Sequence, residues 1–423
     1  GTRISSIAGD IPKPMIPFFN KPILEYQLEC LKQYGLNDII MVIGHLGEVI
    51  HDYFGDGRKF GVAISYFTER EPLGTGGALF KMKEELRGDF ILVNGDIIFD
   101  IDFTRLVEFH HYKKALATLV THPNSHPYDS ALIITDRDER IIQWLNKEEP
   151  RLYYKNQVNS GIHVFSEKIL DLALPEKDRV DLDREILKPL VREGCFFAYN
   201  TPEYIKDMGT PDRYRQVKLD LENGFVKSKN LSNKQKAVFL DRDGTINKIN
   251  GFISRPENFE LADGAAEAIG CINRSGYLAI VVTNQPVIAR GEASFEDLLT
   301  VHNKMETELG KAGAYLDDIF FCPHHPDKGF PGERAEYKID CECRKPKPGM
   351  LLKAAEKYNI DLSKSFMIGD DARDAEAGIA AGCRTFLIKP DSAETTALVK
   401  DREISLIPDL KFFAERYLNE YCN

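Results

Sequence analysis

Two aspartates stand two positions apart directly after a short apolar run. The run covers residues 237–240, Asp241 and Asp243 follow it, and Gly244 and Thr245 permit a tight turn. A carboxylate at the end of a buried strand can attack phosphorus, and a second carboxylate can protonate the leaving oxygen and then activate water. The spacing predicts phosphoryl transfer with Asp241 as nucleophile and Asp243 as acid/base, although an incidental surface turn has the same pattern.

Three more polar clusters follow apolar runs or open helices in the same half of the chain. They supply hydrogen-bond donors for phosphate, cations for the transferred group and a further acid: Thr283, Asn284, Arg344, Lys345 and Asp370. The carboxyl ends of neighbouring parallel strands meet at one edge of a sheet, so these clusters can converge there. Asp370 and Asp241 would then form a carboxylate pair for Mg²⁺, the hard cation that usually accompanies phosphates.

Cysteines and histidines are paired at metal-ligand spacing between these clusters. Cys322 precedes His324 and His325, and Cys341 and Cys343 follow closely. Three thiolates and one imidazole form a closed tetrahedral set for a structural Zn²⁺. The spacing alone does not decide which of the two histidines binds. The alternative is that the histidines are ordinary loop residues and the cysteines are simply buried.

The first half opens with small and basic residues. Gly1, Thr2 and Arg3 begin the sequence, and Lys13 lies between two prolines. Glycine amides can cradle nucleotide phosphates, and Arg3 and Lys13 can neutralise charge at an α-phosphate. Because the sequence does not begin with Met, we expect an upstream segment that carries more of this loop.

Other segments of the first half carry glycine loops and acids. They are the loop of Gly74, Thr75, Gly76 and Gly77, the loop of Asn159 and Gly161, and the separate acids Asp96 and Asp207. Each has an ordinary turn or loop as its alternative interpretation. Together they predict a nucleotide site in which the two acids hold a second Mg²⁺.

Short β-rich runs alternate with helical patterns in both halves, which predicts an α/β fold with parallel sheets. The runs of strand character are residues 39–43, 90–93, 117–121, 162–165, 237–240 and 278–282. The segments with helical spacing of apolar residues are 23–34 and 78–86. A polar stretch at 227–236 has the composition of a linker. We therefore expect two domains, 1–225 and 236–423.

The composition limits the partners. The 423 residues carry a formal net charge of −11, which is unfavourable for wrapping nucleic acid or an anionic membrane. No apolar stretch approaches the ~18–20 residues of a membrane span. The cysteines outside the zinc motif lie singly, as expected for thiols in a reducing cytosol, so we expect a cytoplasmic protein. The oligomeric state stays open.

The second half resembles the haloacid-dehalogenase-like phosphatases, and among them the heptose 1,7-bisphosphate 7-phosphatases. The resemblance rests on residues 283–291, 322–326 and 341–346 in addition to the aspartate motif. It implies a Rossmann-like fold with a zinc loop, the roles given above, and His324 as the fourth zinc ligand. It also implies that the Asp243 backbone helps Asp241 and Asp370 to bind Mg²⁺. The substrate-binding residues it implies are Gly251, Gln285, Arg290 and Arg344.

The first half resembles the sugar-1-phosphate nucleotidylyltransferases, with heptose 1-phosphate guanylyltransferases as the closest subgroup. The resemblance rests on residues 12–17, 21–26, 73–78, 158–161 and 204–211. It implies a Rossmann-like domain whose partners are a nucleoside triphosphate, with GTP favoured, and a sugar phosphate. Asn159 and Gly161 would contact the sugar.

Both resemblances together imply two consecutive steps toward a nucleotide-activated heptose for surface glycans. Two alternatives remain for the substrates: histidinol phosphate for the phosphatase and mannose 1-phosphate for the transferase. A third alternative is that the first half is a non-catalytic module.

Overall fold

A computed structural model describes residues 11–172, 179–329, 331–388 and 404–422. The chain separates into two compact units: residues 1–122, 131–146 and 158–230 form the first, and residues 123–130, 147–157 and 231–423 form the second. The two short loops assigned to the second unit had no signal in the sequence, because their composition is that of ordinary turns. Within the described ranges, no helix is long and apolar enough to cross a membrane.

The first unit is built from short strands and helices. Its described strands, in chain order, are β1 (Pro17–Phe18), β2 (Lys21–Pro22), β3 (Asp38–Ile43), β4 (Ala63–Thr68), β5 (Phe90–Val93), β6 (Ile97–Asp100), β7 (Ala117–His122), β8 (Leu132–Thr135), β9 (Ile141–Leu145), β10 (Val158–Phe165), β11 (Phe196–Asn200) and β12 (Tyr204–Asp207). Its described α-helices are Ile23–Gln33, Gly47–Phe54, Gly77–Lys81, Phe103–Lys113, Lys188–Leu190, Pro211–Glu222 and Phe225–Ser228.

The main sheet of the first unit is mixed, whereas the sequence pattern predicted a parallel sheet. Its order is β11-β7-β10-β8-β9, with β5 also paired to β10. Strand β11 runs parallel to β7, but β10 is antiparallel to both β7 and β5. Apolar runs of similar length serve either direction, so the direction depends on connections that periodicity does not reveal.

One predicted helix of the first unit is shorter than expected. The helix expected over 78–86 ends at Lys81. Beyond it, the amides of Glu85 and Leu86 both bond to the carbonyl oxygen of Met82, so the chain continues as a turn. The same apolar face is still covered, because Leu86 packs beside the buried Met82. The apolar spacing therefore fits a helix and a turn equally well.

The second unit has one sheet flanked by helices. Its described strands are β13 (Ala237–Leu240), β14 (Leu278–Asn284), β15 (Asp318–Cys322), β16 (Phe366–Gly369), β17 (Arg384–Ile388) and β18 (Ile404–Ile407). Its described α-helices are Ala265–Arg274, Phe295–Lys311, Gly349–Tyr358, Ala372–Ala380 and Leu410–Tyr417.

This sheet is parallel throughout, in the order β15-β14-β13-β16-β17-β18. Along the central strand β13, Val238 and Leu240 join one hydrophobic core, and Ala237 and Phe239 join the other. Side chains alternate between the faces of a strand, so a run without polar residues marks a sheet covered on both sides. Polar residues can follow these strands only at the carboxyl edge of the sheet, where the faces are no longer covered. The predicted motifs of this half lie at that edge.

A disulfide joins Cys271 to Cys422 in the second unit. Both residues were expected to be single thiols of a reducing cytosol, and for this pair the structure corrects that expectation. The two cysteines are 151 residues apart in the chain. Such a separation leaves no spacing signal, because only the fold brings them together.

A buried acid anchors the loop 147–157 within the second unit. Glu306, on helix Phe295–Lys311, is 6% exposed, and its carboxylate accepts a hydrogen bond from the backbone N–H of Asn156. The neighbouring Thr307 hydroxyl accepts one from the Tyr154 N–H at 2.9 Å. Burial raises the pKa of Glu306 to about 7, although Lys155 and the Asn156 N–H oppose the rise.

We expect Glu306→Gln to stabilise the second unit increasingly above pH 5. The unfolded Glu306 ionises from its ordinary pKa of 4.5, but the folded one ionises only near 7. The buried acid therefore costs stability as the pH rises between these values, by about 3 kcal/mol at pH 8. Glutamine keeps the acceptor oxygen and removes this cost.

The change in stability is measured by chemical denaturation of the full chain at pH 5 and pH 8, with hydrogen exchange in helix Phe295–Lys311 as the probe. Glu308→Gln, on the same helix and partly exposed, is the matched control. An equal gain at both pH values would contradict a buried, titrating Glu306.

Candidate functional site

A buried lysine joins two acids at the carboxyl edge of the parallel sheet. Lys345 Nζ lies 2.6 Å from Asp241 Oδ1 and 2.6 Å from Asp374 Oδ1, and the lysine is 2% exposed. Asp241 follows β13, and Asp374 lies in the first turn of the helix that Asp371 caps. Burial alone would lower the pKa of Lys345, but the two carboxylates raise it by more than burial lowers it, so the net shift is upward. The lysine is therefore held as a cation.

Three acids crowd together beside this lysine. Ligand oxygens of Asp241, Asp370 and Asp374 all lie within 4.8 Å of one another. Burial, together with neighbouring carboxylates, raises the pKa of Asp241 to about 7 and that of Asp370 to about 8. Crowded carboxylates repel one another, and a divalent cation relieves that repulsion. The donors are all oxygens, which fits Mg²⁺.

Gly244 lets the turn after β13 approach these acids. Its φ is +83°, and a Cβ atom there would lie 2.1 Å from Asp370 Oδ2. A larger residue would therefore both strain the backbone and displace the carboxylate. Glycine at this position follows directly from the geometry of the acid cluster.

Side chains from β14 border the acid cluster. Thr283 is 1% exposed at the end of this strand. Asn284, expected to bind phosphate, uses its amide on the backbone of the lysine loop: Nδ2 donates to the Lys345 carbonyl at 3.0 Å, and Oδ1 accepts from the Lys345 N–H at 3.0 Å. The structure thus has Asn284 orienting the buried cation.

The predicted acid/base and the predicted substrate ligands occupy different depths. The Asp243 carboxylate accepts hydrogen bonds from Arg242 and from Gln285, and Gln285 is 2% exposed. Arg290 stacks its guanidinium on Phe252, 4.6 Å from the ring centre. Gly251, beside Phe252, is exposed with a φ of +63°. Gly251 and Phe252 are therefore exposed, whereas Gln285 is buried.

Three thiols and an imidazole meet beyond the end of β15. Cys322 Sγ lies 3.5 Å from Cys341 Sγ and 3.2 Å from Cys343 Sγ, and His324 Nδ1 lies 3.3 Å from Cys343 Sγ. A tetrahedral ion with Zn–S bonds of about 2.3 Å brings its ligands together at comparable spacing. His325 is directed instead toward Asp327, 3.8 Å away. Of the two histidines, His324 is the one that joins the thiols.

This cluster also orders the basic loop that follows it. Arg344, the residue after Cys343, donates from Nη1 to the His324 carbonyl at 3.0 Å. Lys345 comes next and enters the acid cluster. A metal bound by His324 and Cys343 would therefore hold Arg344 and Lys345 in place, because Arg344 bonds to the His324 carbonyl and both cations directly follow Cys343.

A second group of charged residues lies in the first unit. Lys13 Nζ is 3.5 Å from Asp96 Oδ2. Asp207, the last residue of β12, pairs in register with Ile97, the neighbour of Asp96. Arg213 grips Asp207 with Nη1 at 2.8 and 2.7 Å from its two oxygens. The antiparallel β6–β12 pair thus brings together the two predicted acids, each beside its own cation.

The glycine loop of the first unit packs against the segment of Val180 and Leu182, which carries no motif in the sequence. The Gly76 N–H donates to the Val180 carbonyl at 2.9 Å, and the Leu182 N–H donates to Thr75 Oγ1 at 2.9 Å. Gly74 has a φ of +79°, and a Cβ there would lie 2.4 Å from the Val180 oxygen. The loop needs glycine because the two backbones touch.

The predicted sugar loop lies against the same segment. Asn159 Nδ2 donates to Asp183 Oδ2 at 3.2 Å, and Asn159 Oδ1 accepts from the Gly161 N–H at 3.3 Å. Gly161 has a φ of +79° and packs against Asn94. Burial and the nearby Asp181 raise the pKa of Asp183 to about 6. Gly1, Thr2 and Arg3 lie outside the described residues.

Comparisons with known proteins decide the family. The nucleotidyl transferase family model matches residues 1–224, more than half of the 423 residues. The chain belongs to the nucleotidyl transferase family. A second model, HAD-hydrolase-like, matches residues 342–411, which hold Lys345, Asp370 and Asp374.

Relatives match each half separately. A D-glycero-beta-D-manno-heptose-1,7-bisphosphate 7-phosphatase from Yersinia pestis is 41% identical over 186 residues, 43% of this chain and 96% of the relative. A mannose-1-phosphate guanylyltransferase from Mycobacterium tuberculosis is 32% identical over 232 residues, 54% of this chain and 64% of the relative. The crystal structure of HddC from Yersinia pseudotuberculosis has a TM-score of 0.46 at 26% identity, covering 52% of this chain and 95% of that one.

The chain is therefore a bifunctional enzyme, with a nucleotidyltransferase domain followed by a HAD-like phosphatase domain. This confirms both family resemblances. Asp374 and Asp183 are among the site residues that were not predicted. Asp374 had a signal, since it stands four residues after Asp370 in the same acidic segment. Asp183 had none beyond being an acid near the sugar loop.

We expect Cys341→Ser to lower the zinc content of the purified enzyme and to destabilise the phosphatase domain. A structural zinc contributes folding free energy of order ~10 kcal/mol, and loss of one thiolate removes a large part of it. Metal analysis and thermal unfolding of the full chain measure both effects. Cys195→Ser, a thiol of the other unit, is the control. Wild-type enzyme without zinc would disprove the site.

Proposed function

We propose that the phosphatase domain, residues 236–423, removes the 7-phosphate of D-glycero-D-manno-heptose 1,7-bisphosphate. We propose further that the transferase domain, residues 1–225, joins the resulting heptose 1-phosphate to a nucleoside monophosphate. The observation that carries this is the 41% identity to a 7-phosphatase in a chain that also has a nucleotidyl transferase domain. Loss of the 7-phosphate leaves a sugar 1-phosphate, the substrate class of the transferase domain.

In the phosphatase, Asp241 attacks phosphorus and the bond to the sugar oxygen breaks. Asp243 donates a proton to that oxygen, then takes one from the water that hydrolyses the aspartyl-phosphate. Lys345 and Arg344 balance the negative charge of the phosphoryl group. The buried position of Lys345 strengthens its attraction, because little water screens it.

Magnesium fits the phosphatase site, and Asp241, Asp370 and Asp374 are the side chains that would hold it. When bound, the ion lowers the repulsion between the Asp241 carboxylate and the incoming phosphate. Asp374 also accepts hydrogen bonds from the N–H groups of Asp370 and Asp371 at 3.2 and 3.1 Å. It therefore fixes the loop that carries Asp370.

In the transferase, an oxygen of the sugar phosphate attacks the α-phosphorus of the nucleotide and pyrophosphate leaves. Lys13, whose Nζ lies 3.5 Å from Asp96 Oδ2, would neutralise charge at the α-phosphate, and Asp96 and Asp207 are the acids that would hold a second Mg²⁺. Asn159, Gly161 and the glycine loop would bind the sugar and the nucleotide. We favour GTP, because a relative of this domain is named as a guanylyltransferase.

Mannose 1-phosphate is the second candidate for the transferase, since the same relative carries that sugar in its name. The full-length enzyme, supplied with either anomer of heptose 1,7-bisphosphate or with mannose 1-phosphate, and with GTP or ATP, separates the candidates. Formation of a nucleotide-heptose only after release of one phosphate supports the proposal. Histidinol phosphate belongs in the same panel.

We also propose that both reactions occur in the cytoplasm, where nucleoside triphosphates are available.

We expect Asp241→Asn to reduce phosphatase turnover by at least about a thousandfold and to leave nucleotide-sugar formation from a sugar 1-phosphate unchanged. The amide cannot form the acyl-phosphate. Asp263→Asn, an exposed acid of the same domain, is the control. Phosphate release and nucleotide-sugar formation are measured separately; loss of both in a folded variant would contradict two independent sites.

We expect Asp207→Ala to reduce nucleotide-sugar formation by about a hundredfold or more while phosphatase turnover stays within a few-fold. The attack brings two phosphates together, and that approach is strongly repulsive without the cation that Asp207 helps to hold. Asp212→Ala removes a highly exposed acid from the neighbouring turn and serves as control. Equal rates in both variants would remove Asp207 from the site.

A further inference from the structure

The Asp243 carboxylate accepts hydrogen bonds from three neighbouring side chains. Arg242 donates from Nε to Oδ1 at 3.1 Å and from Nη2 to Oδ1 and Oδ2 at 2.9 and 2.8 Å. Asn247 Nδ2 donates to Oδ1 at 3.1 Å, and Gln285 Nε2 donates to Oδ2 at 2.9 Å. A general acid needs its oxygen aimed at the leaving group, and here the surrounding donors decide that aim.

Gln285 is the member of this set that also reaches the phosphate-binding side. The same Nε2 that donates to Asp243 donates to Thr283 Oγ1 at 2.9 Å. An amide nitrogen has two hydrogens, and each of these contacts uses one. The Gln285 backbone N–H is itself fixed to the Cys322 carbonyl at 2.8 Å. The Gln285 backbone is therefore anchored, and its amide nitrogen has two hydrogen-bond partners.

The contact with Thr283 has a chemical consequence. A hydroxyl has one hydrogen to donate, and its oxygen can accept others. Because Gln285 donates to the Thr283 oxygen, the Thr283 hydrogen is directed to another acceptor, and a phosphate oxygen at the acid cluster is the acceptor that the proposed function supplies. One buried amide thus orients both a proton donor for the leaving group and a donor for the phosphate.

We propose that Gln285 is a positioning residue of the phosphatase, whose amide sets the orientation of Asp243 and Thr283. This differs from the direct substrate contact expected from the sequence, and its 2% exposure supports action through neighbours. The proposal rests on the proposed roles of Asp241 and Asp243. Arg242 also holds Asp243, but it is completely buried, so its replacement would change folding as well as orientation.

The test compares two substrates of Gln285→Met, which keeps the length of the side chain and removes the amide. Heptose 1,7-bisphosphate needs a proton on its leaving oxygen, whereas p-nitrophenolate leaves without one. Because kcat/KM reports the steps up to the aspartyl-phosphate, loss of the Thr283 contact lowers it for both substrates, whereas loss of the Asp243 contact lowers it for the sugar alone. We therefore expect a fall of about thirtyfold or more for the sugar and of about threefold for p-nitrophenyl phosphate.

Hydrolysis of the aspartyl-phosphate still needs Asp243 as base with either substrate. We therefore also expect a burst of about one p-nitrophenolate per active site before a slow steady state in the variant. Gln235→Met, which removes another buried glutamine amide of the same unit, should leave the ratio of the two kcat/KM values unchanged. If Gln285→Met does not fold, Gln285→Asn, which is too short for both contacts, takes its place.

An equal fall with both substrates would assign Gln285 to phosphate binding alone and overturn the proposal, as would no fall with either. Failure of the underlying function looks different: wild-type enzyme would then release no phosphate from the heptose, or Asp241→Asn would still form a phosphoenzyme. The two failures are therefore distinguishable within one set of assays.

Discussion

The buried ion pairs of Lys345 with Asp241 and Asp374 are the constraint on which the phosphatase domain depends. A lysine that is 2% exposed loses most of its hydration, and only carboxylates at 2.6 Å compensate for that loss. The same carboxylates then repel one another and Asp370, and burial and this crowding raise the pKa values of Asp241 and Asp370. A site with three acids beside one lysine is arranged to accept a divalent metal and a phosphate together.

Much of the domain can be understood as support for this charge cluster. The all-parallel sheet brings the ends of β13, β14 and β16 to one edge, and its two covered faces keep water away from them. The cysteine and histidine cluster holds the loop that delivers Lys345, and Asn284 secures the backbone of that lysine from the other side. Three separate parts of the chain thus serve to place one ammonium group.

The transferase domain handles charge in a more open way. Asp207 ends β12 and Asp96 directly precedes the neighbouring strand β6, and each acid is half-exposed beside its own cation, Lys13 or Arg213. Pairs of this kind are exchanged easily, because water screens them and their net contribution to stability is small. Such an arrangement suits a site that must admit and release a large polyanion.

The sequence by itself determined the chemistry of this protein. The aspartate pair after an apolar run and the ordered glycine loops pointed to both activities, and the cysteine and histidine spacing pointed to a structural zinc site, because local spacing reflects local geometry. What only the tertiary structure decided was orientation and pairing: Asn284 bonded to a backbone, Gln285 beneath the site, Asp183 against the sugar loop, and the Cys271–Cys422 disulfide. Each depends on residues distant in the chain or on where a side chain points, and neither leaves a period or a spacing in the sequence.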